Sequence, residues 1–248
     1  MMHNPLALEQ FNTVILGNGA IGQALAHAIG QYPGSRGLAL LGRSGIAGLE
    51  GKGIVQLPVD ATQPHSITAA AQEILSSFGN VHLLINTVGV LHREGQQPEK
   101  RLRDLQPDNL LYSCQVNGLF VALVADAFAP LLRHDEPSLL ASLSARVGSI
   151  ADNDLGGWYS YRASKATHNM LLRTVSREWR VSHRNTAVVA LHPGTVESRL
   201  SQPFIGKHYR NRVLTPQECA DALLAVMAHL TPDDTGRFLD WRGDTIPW

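Results

Sequence analysis

Short runs of aliphatic and β-branched residues alternate along the chain with longer segments in which apolar positions recur every three or four residues. The first pattern suits strands buried on both faces and the second suits amphipathic helices, so their alternation predicts βα units around a parallel sheet. Strands are predicted at 13–17 (TVILG), 37–42 (GLALLG), 54–60 (IVQLPVD), 81–86 (VHLLIN), 138–144 (SLLASLS) and 186–192 (TAVVALH), with a seventh at 236–241 (GRFLDW). Helices are predicted at 20–31, 64–78, 113–133, 158–181 and 216–230, several opened by proline behind a polar residue, as at Thr215-Pro216. Right-handed crossovers place such helices on both faces of the sheet. The expected fold is α/β: a single doubly wound Rossmann-type domain over residues 1–248 with a mostly parallel seven-stranded sheet. Sheets of this kind bind ligands beyond the carboxyl ends of their strands, which directs attention to the residues that follow each strand.

The 21 Lys and Arg balance the 21 Asp and Glu, and no basic stripe is present to neutralise a phosphate backbone, so nucleic acid is not expected as a partner. Cys114 and Cys219 lie in different apolar segments without metal-ligand spacing, which suggests reduced packing residues and no metal site. The opening MMHNPLALEQFN lacks a charged head followed by an apolar stretch, and no run of some 18 apolar residues is found. A cytoplasmic protein without a membrane partner is expected.

After the first strand, Gly17, Asn18, Gly19, Ala20, Ile21 and Gly22 form GxGxxG at a strand-to-helix turn. The first glycine permits the turn, the second lets backbone approach a pyrophosphate, and the third lets helix and strand pack closely. Arg43 and Ser44 follow the second strand, with no carboxylate before Glu50. A cation there suits a ribose 2′-phosphate, so NADP(H) is expected over NAD(H), which stays possible. Asp60 and Ala61 follow the third strand, where Asp60 can accept from an adenine amino group or cap the helix at Pro64. Asn86, Thr87, Val88 and Gly89 follow the fourth, with small residues suited to close approach of a ribose and nicotinamide. Asn117 sits in an apolar helix, where an amide needs hydrogen-bond partners. Serines 142, 144 and 149 fall at and beyond the fifth strand.

The helix at 158–181 carries Tyr161 and Lys165 four residues apart. That spacing rises about 6 Å and keeps both on one face. An ammonium near a phenol favours the phenolate, lowering the pKa and making the tyrosine a usable acid or base.

In this order, GNGAIG, VDAT at 59–62, NTVG at 86–89, Asn117 in VNGLF, the YRASK pair and HPGTV at 192–196 resemble the short-chain dehydrogenase/reductases over essentially the whole chain. SARVGSIADN, GGWYSYRASKA and FLDWRGDTIPW resemble their C-factor-like and carbonyl-reductase-like branch. The resemblance implies a nicotinamide cofactor and hydride transfer between it and a small carbonyl or alcohol. It makes Tyr161 the acid/base, Lys165 the holder of the nicotinamide ribose, and Asn117 the support of a water chain to Lys165. Pro193, Gly194, Thr195 and Val196 would brace the carboxamide. It also implies a homodimer or homotetramer through the long helices.

Two departures stand out. The glycine turn is shorter than the family's TGxxxGxG and resembles that of dihydropteridine reductases. Aligning SARVG with the family's SSxxG puts Ala145 where the catalytic serine belongs; Ser144 is taken as its substitute, with Ser149 the other candidate. A pteridine reductase, or a cofactor-binding signalling protein with little turnover, are the rival functions. The segment ESRLSQPFIGKHYRNRVL, without periodicity, is read as a substrate lid with Phe204, Ile205 and Tyr209 facing the pocket.

Overall fold

The computed structural model describes residues 4–45, 49, 51, 53–93, 95–206 and 210–248. Its strands are β1 (Phe11–Leu16), β2 (Ser35–Gly42), β3 (Ile54–Pro58), β4 (Leu83–Asn86), β5 (Ser138–Leu143), β6 (Thr186–His192), β7 (Thr195–Val196), β8 (Val213–Leu214) and β9 (Phe238–Asp240). Its α-helices are α1 (Ala20–Gly30), α2 (Pro64–Phe78), α3 (Pro107–Ser113), α4 (Phe120–Leu132), α5 (Tyr159–Ser182) and α6 (Pro216–Met227). Seven strands lie in the order β3-β2-β1-β4-β5-β6-β9, all paired in parallel. The expected Rossmann architecture is thus present, and its order reverses between β1 and β4, where a crevice opens beyond the strand ends.

Alternation along the strands builds two cores. Val14 and Leu16 of β1 pack with Ile67 and Ile74 of α2, Val124 and Phe128 of α4, and Leu172 and Trp179 of α5. Ile15, between them, joins Leu25 and Ile29 of α1 and Leu223 and Met227 of α6 on the opposite face. Each fully buried Leu, Ile or Phe contributes about 1.5–3 kcal/mol relative to exposure. Because both faces are covered, the strands read as continuous apolar runs.

Two segments differ from the sequence expectation. The helix predicted from 113 begins at Pro107, ahead of the apolar periodicity, and Cys114–Leu119 between α3 and α4 are π-helical. This continuous Pro107–Leu132 segment has an 18-residue window of mean hydropathy 1.6, so by length and composition it could span a bilayer; 56% of that window is buried in the fold. The lid segment is framed by a ribbon in which Thr195 and Val196 pair with Val213 and Leu214, and Gln202–Phe204 form a 3-10 turn. Tyr209 lies outside the described residues. Both cysteines are free thiols, and burial raises that of Cys219 to about 12.

Candidate active site

β1 ends at Gly17, which turns with φ of 101° and donates its N–H to Leu41 O at 2.7 Å. A Cβ on Gly17 would overlap Thr87 Oγ1, and one on Gly22 would overlap Gly17 O, so both close contacts require glycine. Gly19 differs, because the space beside it is open within 4 Å. It precedes α1, whose first turn has neither a side-chain cap nor an acidic residue. The leading N–H groups of α1 therefore present an uncapped positive end to the crevice, which fits a pyrophosphate.

Asn18 bridges this turn to the end of β2, donating from Nδ2 to Ser44 O and, at 3.2 Å, to Ser44 Oγ. Gly42 makes room for that amide, since a Cβ there would lie 2.5 Å from Asn18 Cγ. Arg43 is exposed beside it. Asp60 turns inward on its own loop, with Oδ1 accepting from the N–H and hydroxyl of Thr62, both at 2.8 Å. Those two donors, with a smaller contribution from the Arg43 charge, hold its carboxyl below the usual range. Ala61 follows, half-buried.

The buried Asn86 amide donates to Ser142 Oγ at 2.9 Å and accepts from Val88 N at 3.1 Å, tying β4 to β5. Thr87 Oγ1 donates to Leu16 O at 2.9 Å. Asn117, in the π-helical turn, accepts from Val90 N at 2.7 Å and donates to Val90 O at 2.8 Å and Ser164 Oγ at 2.9 Å. It thereby bolts the loop after β4 to α5. Its own backbone carbonyl accepts from His168 Nδ1 at 2.9 Å. Burial pushes His168 down to about 3, leaving a neutral ring whose Nε2 has no partner among the described residues.

Tyr161 and Lys165 lie one turn apart on α5, the phenol half-buried and the ammonium buried. A Cβ on Gly89 would lie 3.5 Å from Asn117 Oδ1 and 3.6 Å from Lys165 Nζ, so the loop after β4, Asn117 and Lys165 converge. Lys165 Nζ donates to Leu143 O at 2.9 Å. Burial lowers Lys165 to about 8 and raises Tyr161 to about 12. Desolvation alone sets the direction of the Tyr161 shift, opposite to the lowering expected from the ammonium. Beyond β6, Pro193 O accepts from Cys219 Sγ at 3.5 Å, and Gly194, at φ of 77°, fits against the Trp241 indole. Thr195 and the buried Val196 follow in β7, so this segment also lies at the carboxyl edge.

The short chain dehydrogenase family model matches residues 13–207, from β1 through the lid segment. The chain belongs to the short-chain dehydrogenase family. It is accordingly an NAD(P)-dependent oxidoreductase. It is 32% identical to C-signal of Myxococcus xanthus over 68% of this chain and 94% of that protein. It is 29% identical to the 1-hydroxy-2-glutathionyl-2-methyl-3-butene dehydrogenase of Rhodococcus sp. strain AD45, over 91% and 96% of the two chains. Among solved structures, NADPH-bound carbonyl reductase from chicken fatty liver is 25% identical with a TM-score of 0.82, covering 97% of this chain and all (100%) of that one. Carbonyl reductase Sniffer of D. melanogaster shares the fold at a TM-score of 0.84 and 21% identity, over 96% and 100%.

Both serine candidates of this short-chain dehydrogenase are buried. Ser144 is buried, and its hydroxyl donates to Asn169 Oδ1 at 2.6 Å, one turn further along α5 than Lys165. Ala145, next in the chain, brings no hydroxyl. Ser149 is also buried, accepting from Asp152 N at 3.2 Å.

Several residues of this site carry no sequence signal. Glu99 is 4% exposed and caps α5, accepting from Ser160 N at 3.1 Å and from the Ser160 hydroxyl. Trp158 precedes α5 with φ of 51°. Its ring lies 6.2 Å from that of Tyr161 and 5.1 Å from that of Phe204, and His92 stands 5.8 Å beyond Phe204. Ile205, half-buried, follows Phe204. His82, His134 and Glu136 cluster near the amino-terminal ends of β4 and β5. There Asn12 N–H occupies His82 Nδ1, which leaves Nε2 protonated and directed at Glu136, a hydrogen-bonded chain in place of a cation cage.

Proposed function

We propose that this short-chain dehydrogenase interconverts a small carbonyl compound and its alcohol using NADP(H), with Tyr161 as the acid/base. The observation that supports it is the convergence of Lys165, Asn117 and the Gly89 loop at the carboxyl edge of the sheet, with Tyr161 one turn before Lys165 on α5. NADP(H) preference is supported by the exposed Arg43 after β2 and by the NADPH held in the chicken carbonyl reductase. Gly19 and the start of α1 would hold the pyrophosphate, Arg43 and Ser44 the ribose phosphate, and Lys165 the nicotinamide ribose.

Bound NADPH supplies a hydride to the carbonyl carbon. As the C=O electron pair moves onto oxygen, Tyr161 transfers its phenolic proton there, and the Lys165 ammonium stabilises the phenolate left behind. Asn117 positions the loop that faces Lys165 and fixes the helix that carries it. Exclusion of water by the lid around Phe204 raises the strength of each of these electrostatic contacts. A homodimer or homotetramer is part of the same proposal, supported by the exposed Leu111 and Leu119 on the Pro107–Leu132 helix and Met170 and Val181 on α5. Light scattering measures it.

The test is Tyr161→Phe. Turnover of an aldehyde and ketone panel with NADPH is expected to fall about a hundredfold or more, while cofactor affinity stays within a few-fold. Unchanged turnover refutes the assignment. A signalling protein with little turnover is the second reading, supported by the missing hydroxyl at Ala145 and the likeness to C-signal. Tight NADPH binding with no reduction of carbonyls or a quinonoid pterin would favour it.

A further inference from the structure

We infer that Trp158 and Phe204 form an aromatic wall at the mouth of the Tyr161 site, and that the wall selects carbonyl compounds bearing a planar aromatic ring. The inference rests on the carbonyl-reduction reading and adds the substrate class to it.

Trp158 is the one non-glycine residue at positive φ among the described residues. A bulky aromatic side chain in the left-handed region is disfavoured and persists only where surrounding contacts impose it. Those contacts are present. Gly156 and Gly157, at φ of 63° and 67°, lead into it. Arg162 Nε donates to both of their carbonyls, at 3.1 and 3.0 Å. Trp158 N–H is taken by Glu99 O, and the buried Glu99 carboxylate holds Ser160 two residues on. The chain thus clamps Trp158 from both sides, and the resulting direction brings the indole edge-on to Tyr161, with an interplanar angle of 69°.

The rings do not behave as core. Trp158, Tyr161, Phe204 and His92 are all partly exposed, and they form a continuous row from the proton donor to the lid. His92 Nε2 lies 3.2 Å from Arg199 O, which ties the loop after β4 to the lid segment. Offset and edge-to-face geometries are those that a third ring can join or replace. The missing hydroxyl at Ala145 adds an independent argument. Tyr161 alone grips the carbonyl oxygen, and one contact cannot orient the carbonyl face toward a hydride donor. Orientation has to come from the remainder of the substrate, and a ring stacked against the Trp158–Phe204 pair, whose own rings touch at 5.1 Å between centroids, supplies it.

The experiment compares benzaldehyde with cyclohexanecarbaldehyde, which keeps the size and removes the π system. Wild-type kcat/KM is expected to favour benzaldehyde by about tenfold, the upper range of an aromatic pair. Trp158→Leu should remove that preference by raising KM for benzaldehyde more than KM for cyclohexanecarbaldehyde, bringing the ratio of their kcat/KM values near one, and Trp158→Phe should restore it. Equal treatment of the two aldehydes by the wild type, or equal losses for both in Trp158→Leu, overturns the aromatic wall and leaves carbonyl reduction standing. Reduction of neither aldehyde overturns carbonyl reduction itself. The aromatic wall is then read by ligand-observed NMR with benzamide, whose contact must be lost in Trp158→Leu and kept in Trp158→Phe, or the wall falls too.

Discussion

The imidazole of His168 donates from Nδ1 to the backbone carbonyl of Asn117 at 2.9 Å, joining the middle of α5 to the π-helical turn before α4. A π turn adds a residue to a helix and redirects its carbonyls, and such turns recur at functional sites. Here the redirected Asn117 carbonyl, the expected seat of a water feeding Lys165, already has one lone pair engaged by His168.

That contact makes stability pH-dependent. The folded-state pKa of His168 is depressed from 6.5 to about 3 by burial, so the unfolded chain takes up a proton first as pH falls. Stability contributed by the neutral ring is complete above about 6.5 and is lost as pH drops toward 3. Between pH 7.5 and 5 the loss from this group is ~2 kcal/mol. His168→Asn keeps a donor for the carbonyl but does not titrate. Urea unfolding at the two pH values should show that much less acid sensitivity in the variant; equal slopes would rule the mechanism out.

Burial of Lys165 has the opposite consequence for rate. Its ammonium, lowered to about 8, loses its proton well before a free lysine does. Carbonyl reduction needs both the Tyr161 proton and that ammonium, so kcat/KM should fall on an alkaline limb near pH 8. A limb near 10 would place Lys165 in water during turnover.

Aligning SARVG with the family's SSxxG puts Ala145 at the serine position, while the Ser144 hydroxyl is hydrogen-bonded to Asn169. Ala145→Ser should raise kcat about tenfold or more on poorly activated ketones, since a single donor to a developing oxyanion contributes at least that in other enzymes. No change in kcat would show that Ala145 does not face that oxygen.

At the end of β2, Arg43 is exposed and available to a ribose phosphate. Arg43→Glu should weaken NADPH binding about tenfold to a hundredfold, the contribution of a charge-assisted hydrogen bond, and leave NADH nearly unchanged. Parallel loss of both cofactors in a fluorescence titration would assign Arg43 to the loop alone.

Most of the sheet was legible because strands buried on both faces leave uninterrupted apolar runs, and β6 at Thr186–His192 matches its predicted span. The glycine turn was legible for a similar reason: overlap of a Cβ on Gly17 or Gly22 with neighbouring atoms restricts those positions to one residue type. The π turn was not, since Asn117 has the same neighbours in the chain whether the helix is α or π, and only packing on α5 decides.

The amino-acid sequence by itself determined the order of strands and helices, the family, and the pair Tyr161 and Lys165, because periodicity and short spacings are local properties. Tertiary structure decided what each polar group is free to do. It turned Ser144 onto Asn169, set His168 on the Asn117 carbonyl, and used Glu99, some 60 residues away in the chain, to hold Trp158 against Tyr161. A hydroxyl, an imidazole or a carboxylate makes only a few directed bonds, and which partners claim them depends on chain segments far apart in sequence that meet only when the sheet and helices close together.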